Sequence, residues 1–99
     1  MTERPMAEPV LQVDNDRVRV TEWRFAAGAH TGWHKHGFDY VVVPMADGKL
    51  LLDLPGGERV EADLSKGVSY FREAGVEHDV INGSDHAFSF VEIEIKPQG

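Results

Sequence analysis

An alternation of apolar and polar residues with a period of two constrains this chain more than any other feature. Val18 and Val20 alternate with Arg17 and Arg19, and Val91, Ile93 and Ile95 with Glu92, Glu94 and Lys96. Leu50, Leu52 and Leu54 share one face, with Lys49 and Asp53 on the other. Successive side chains of an extended chain point to opposite faces, so each run reads as a half-buried strand. Turn chemistry separates the runs: Ala27-Gly28, Asp47-Gly48, Pro55-Gly56-Gly57 and Asn82-Gly83-Ser84. Asp-Gly and Asn-Gly supply the positive φ values that tight hairpins need. The nearest helical candidate is Gly57–Lys66, but its Gly-Gly pair and the β-branched Val60 favour a strand.

Strands are expected near 10–13, 17–25, 33–44, 49–54, 58–63, 67–72, 77–82 and 87–96. Many short strands separated by turn signals define an all-β sandwich or barrel. Phe88 and Phe90 resist the pattern, because a regular strand puts them on the face opposite Val91 and Ile93. Either a bulge near Phe90 realigns the strand or a partner covers its outer face. The second option favours a homodimer.

At 99 residues the chain holds one domain at most. Residues 1–9, with two prolines and mixed charge, read as a flexible arm, and 10–97 as the single domain. The net charge is −7 and no two Lys or Arg residues are adjacent, so the basic stripe that nucleic acid or an anionic membrane requires is missing. There is no cysteine, which excludes disulfides and thiolate ligands. No signal-peptide core or apolar run of membrane-spanning length is visible, and a cytoplasmic protein is the default expectation.

Chemistry concentrates in the histidines. His34 and His36 are two apart and share a strand face, followed at the same parity by Phe38, Tyr40 and Val42. Two imidazoles flanked by apolar side chains are poorly explained as solvated surface. A third histidine from another strand would complete a facial set of nitrogen ligands with positions left open for water or substrate. His78 is the candidate, with Val80 and Asn82 on its own face. Of the other two, His30 reads as a solvated rim residue and His86 as surface.

The two histidine segments resemble the paired motifs of the cupin superfamily. The first is Gly28-x5-His34-Lys35-His36-x3-Tyr40, followed by Gly48 one residue late; the second is Gly67-x5-Glu73-Ala74-Gly75-x2-His78-x3-Asn82. The resemblance implies a single small cupin β-barrel of the jelly-roll (double-stranded β-helix) type. It also implies one divalent metal ion held by His34, His36 and His78. The surroundings of the motifs are similar to a subgroup associated with β-alanine degradation, which implies a pathway context rather than a reaction.

Two positions depart from the family pattern. Glu73 replaces the usual proline, and Tyr40 stands where the family has a metal-binding glutamate. A phenol, with an ordinary pKa near 10, is a far weaker ligand than a carboxylate at neutral pH. The site then resembles the three-histidine cupins, among them non-haem iron dioxygenases. Tyr40 has three readings: a phenolate ligand, a hydrogen-bond donor to metal-bound water or substrate, or a barrel-lining aromatic. Asp39 should point away from the histidines. Arg24 and Arg72 each read as a solvated strand residue, with capture of a substrate carboxylate as the functional alternative. Trp33, Phe38, Met45 and Phe71 are core or cavity-lining aromatics and aliphatics.

The expected function is a mononuclear metal centre acting on a small anionic metabolite, by dioxygenase-like or Lewis-acid chemistry. Iron is expected if the centre is catalytic, with nickel, zinc or manganese as the other metals. The alternative is a cupin module that binds a small molecule or metal without turnover.

Overall fold

In the computed structural model, which describes residues 4–98, nine strands form two antiparallel sheets. They are β1 (Glu8–Asp14), β2 (Val18–Phe25), β3 (His34–Lys35), β4 (Asp39–Pro44), β5 (Gly48–Asp53), β6 (Arg59–Leu64), β7 (Tyr70–Arg72), β8 (Glu77–Asn82) and β9 (Phe88–Ile95). One sheet runs β1-β2-β9-β4-β7 and the other β3-β8-β5-β6. The strand expected over 58–63 is β6, and the helical alternative for that segment does not form. A short 3-10 turn at Pro55–Gly57 joins β5 to β6. Among the described residues no helix is long and apolar enough to cross a membrane.

The core lies between the sheets. Phe25 packs on Phe88 and Phe90, with ring centroids 5.4 and 5.2 Å apart. Val42, Leu50, Leu64 and Val80 extend the cluster toward the histidines. Gly48 is required by this packing, since a Cβ there would lie 2.5 Å from Cδ2 of Phe88. Asn82, 1% exposed, clamps the Phe88 end. Its Nδ2 donates to the carbonyls of Ala26 and His86, and its Oδ1 accepts from the Ser84 amide.

Three expectations change. The strand expected over 33–44 is broken: β3 ends at Lys35 and β4 begins at Asp39. Between them His36 bonds to the turn before β8, its N–H donating to Val76 and its carbonyl accepting from Gly75. Gly75 sits at φ +98°, a conformation few side chains tolerate. The break lets the chain cross from one sheet to the other. It therefore leaves both histidines of the first motif at the corner where the sheets meet.

The second change concerns β9, whose register against β2 is regular throughout, so there is no bulge at Phe90. Phe88, Phe90 and Glu92 point inward, buried, while Val91, Ile93 and Ile95 lie on the outer face. Val18 and Val20 pair with Ile95 and Ile93 and share that face. Alternation marks both faces equally, and it was the two aromatics that marked the inner one.

The third is the boundary of the arm. The Ala7 amide donates to His30, the His30 amide donates to Pro5, and β1 begins at Glu8. The chain thus joins the fold before residue 10, because Ala7 fills a buried position beneath the loop that carries His30. Residues 1–3 of the expected arm lie outside the described residues.

Candidate metal centre

His34 and His78 face each other across the β3–β8 pair, and His36 follows one residue beyond β3. This places three Nε2 atoms around one point. His36 Nε2 is 3.0 Å from that of His34 and 3.2 Å from that of His78. Nitrogens bonded to one ion at about 2.0–2.1 Å stand roughly 2.9–3.4 Å apart at octahedral to tetrahedral angles. The spacing therefore fits a shared ion.

Proton bookkeeping supports the fit. His34 Nδ1 lies 2.9 Å from the Gly32 carbonyl, which can only accept, so Nδ1 donates there and Nε2 is the ring nitrogen turned to the convergence point. Burial pushes His36 down to about 3, helped by His34 and His78, and His78 down to about 4, helped by His34. Both are therefore neutral at pH 7, the form that ligates metal. The three ring nitrogens thus form a set that could hold one metal ion.

Tyr40 is buried at 3% exposure and stacks on His36, with ring centroids 3.9 Å apart and planes 21° apart. Burial raises its pKa above the ordinary value, and the nearby Glu92 adds to the effect. In the metal-free chain the hydroxyl therefore stays protonated at neutral pH. A cavity of about 260 Å³ opens beside His36 and His78, lined on its polar side by Tyr40, Tyr70, Arg72, Asp63 and Glu92. Val42, Leu50, Leu52, Leu64, Val80 and Phe90 form its apolar walls. The guanidinium of Arg72 lies 4.7 Å above the Tyr70 ring.

The remaining sequence candidates separate cleanly. Asp39 points away, as expected, and accepts from the Ala74 amide. Arg24 lies on the outer face, paired with Glu22 and Glu8, and takes no part in the cavity. Phe71 and Met45, each 50% exposed, do not line the cavity, and Trp33 donates to Glu77 at the surface. Glu73 is exposed. His30 is not a free rim residue: its Nδ1 is 2.9 Å from Asp79, which also accepts from the Gly32 amide. Asp79 thereby ties the loop before His34 to β8. His86 is exposed, and its Nε2 donates to the Asp47 carbonyl.

Three polar cavity residues, Asp63, Tyr70 and Glu92, were not evident from the sequence. Glu92 is 9% exposed, and burial followed by the charge of Glu94 raises its carboxyl to about 7. Its Oε1 lies 3.8 Å from Nδ1 of His36. The signal was present in the chain, because Glu92 has the parity of Phe88 and Phe90.

A β-barrel of two facing sheets with three histidines at one corner defines the cupin class. The family pattern described as the cupin domain matches residues 21–94, and the chain belongs to that family. It is 62% identical over 96 residues to the β-alanine degradation protein BauB of Pseudomonas aeruginosa, covering 97% of this chain and 100% of that one. A cupin domain from Bordetella pertussis has 60% identity and a TM-score of 0.94, over 98% of this chain and 100% of that one. At 14% identity a cupin superfamily protein from Desulfitobacterium hafniense still superposes with a TM-score of 0.72, over 98% and 84% of the two chains. That likeness shows the fold alone.

Proposed function

We propose that this chain is a mononuclear metal-binding cupin that acts on a small anionic metabolite. His34, His36 and His78 are the ligands. The observation that carries this reading is the convergence of three Nε2 atoms beside a cavity holding Arg72 and Tyr40. A divalent ion bound there, iron first among those that imidazole suits, supplies Lewis acidity or oxygen chemistry at its open positions.

The chain's own groups set the rest. A volume of about 260 Å³, just under the roughly 300–1,000 Å³ of pockets for drug-sized ligands, suits a small metabolite. Arg72 offers a planar fork matched to a carboxylate. Tyr40, held as a neutral phenol, donates a hydrogen bond to an oxygen near the histidines. The aliphatic walls lower the local dielectric around Tyr40, while Arg72 stands exposed at the cavity's edge. The name of the Pseudomonas relative refers to β-alanine degradation, and we extend that context to this chain as a short carboxylate substrate.

Oxygen uptake by the iron-loaded protein, offered small thiols, diketones and amino-acid derivatives, tests the oxygenase branch. Uptake with one of them, abolished in His36→Ala, is the expected result. No uptake with any removes that branch and leaves the Lewis-acid one. A second reading is binding without turnover, favoured by Tyr40 itself, since a phenol held protonated is a poor proton acceptor.

A further inference from the structure

We infer that Glu92 is the positioning carboxylate of this centre, acting on the metal through Nδ1 of His36. The inference rests on the three-histidine reading of the site. Each ligand histidine has one ring nitrogen at the convergence point and a second that must be oriented from behind. For His34 the second nitrogen is held by the Gly32 carbonyl and the Thr31 hydroxyl, at 2.9 and 3.2 Å. For His36 the group behind is Glu92 Oε1, at 3.8 Å.

Glu92 has no structural reason of its own to be a carboxylate. It is buried on the inner face of β9, opposite Thr21 of β2 and Val42 of β4. Among the described residues it pairs with no Arg or Lys, and Arg19 instead meets Glu94. Its neighbours along the same face are Phe90 and Glu94, and an apolar residue would extend the run from Phe88 and Phe90 without desolvating a second carboxylate beside Glu94. The imidazole of His36 is the partner that gives the carboxylate a use. Tyr40 stacks on His36 as a neutral ring in place of the family's glutamate, so the centre's carboxylate has moved from among the ligands to behind one of them.

The test is Co²⁺ binding by competition with a chelator, in the wild-type protein, Glu92→Gln and Glu92→Asp. Loss of an outer-shell partner of a metal-bound histidine weakens metal affinity about 10–100-fold. That loss is expected in Glu92→Gln, with partial recovery in Glu92→Asp. The melting temperature of the chelated protein should be unchanged or higher in Glu92→Gln. Nitrogen-15 NMR supplies an independent readout on the wild-type chain: the His36 Nδ1 proton should move downfield when Zn²⁺ is added and not do so in Glu92→Gln. Equal Co²⁺ affinity with the same His36 proton shift in both proteins overturns the role of Glu92 while leaving the three-histidine site intact. Failure of the wild-type protein to bind Co²⁺ overturns both.

Discussion

His36 lies flat against Tyr40, with ring centroids 3.9 Å apart and planes 21° apart. The residue standing in for the family's glutamate is therefore packed as a wall for a ligand. Tyr40→Phe keeps the ring and removes only the hydroxyl. It should leave stability within about 1 kcal/mol of wild type and leave one metal per chain. Turnover should fall by roughly 10–100-fold if the hydroxyl donates to substrate. Tyr40→Ala, which empties a buried position, should cost about 3–5 kcal/mol in urea unfolding. Equal damage from both substitutions would show that the hydroxyl supports the fold.

Acid should destabilise the protein once metal is stripped. His36 and His78 are depressed in the folded chain, so they favour folding above their unfolded value of 6.5 and that gain is lost down toward about 3 and 4. Glu92 is raised to about 7 from 4.5, so its contribution has the opposite sign and is lost as pH rises through about 7. Between pH 4.5 and 6.5 the unfolded chain binds two protons on these imidazoles, against one held by Glu92 when folded. Stability should then fall by about 1.4 kcal/mol per pH unit on acidification from these three groups. Urea unfolding of chelated protein at pH 6.5, 5.5 and 4.5 measures it, and a flat or rising profile contradicts the assignment.

Ile93 and Val41 pair across the outer face of the five-stranded sheet, alongside Val20 and Phe71. In a chain of net charge −7 this apolar patch is where a second copy can approach with least repulsion. Light scattering on the eluting protein should give twice the chain mass. Ile93→Lys should halve it while the metal content stays unchanged. A monomeric wild-type protein rules the homodimer out.

Asn82 holds two carbonyls and one amide around the turn that follows β8. Replacing it by Ala leaves those buried groups unpaired and should cost about 2–4 kcal/mol. Thermal unfolding of chelated protein reads this directly, and a change under about 0.5 kcal/mol would show that the turn holds itself.

Much of this architecture was legible in the chain. Period-two runs and Asp-Gly or Asn-Gly turns located the strands, and the spacing of His34, His36 and His78 singled out the residues that the fold brings together. The failures share one cause: alternation assigns side chains to two faces without saying which is inside. Val91, Ile93 and Ile95 read as core and lie outside, while Glu92 read as solvated and sits behind His36. Local pattern also could not show the break after Lys35, because the bonds of His36 to Val76 and Gly75 join segments far apart in sequence. Arg24 and Arg72 looked equivalent until the register put one on the outer face and the other in the cavity.

His34, His36 and His78 are proposed to hold one metal ion. Elemental analysis of protein purified without an affinity tag, wild type beside His36→Ala, tests it most directly. Close to one divalent transition metal per wild-type chain is expected, and less than a tenth of that in the variant, with both chains folded by circular dichroism. Metal absent from the wild type even after reloading and desalting, or retained equally by His36→Ala, would contradict it.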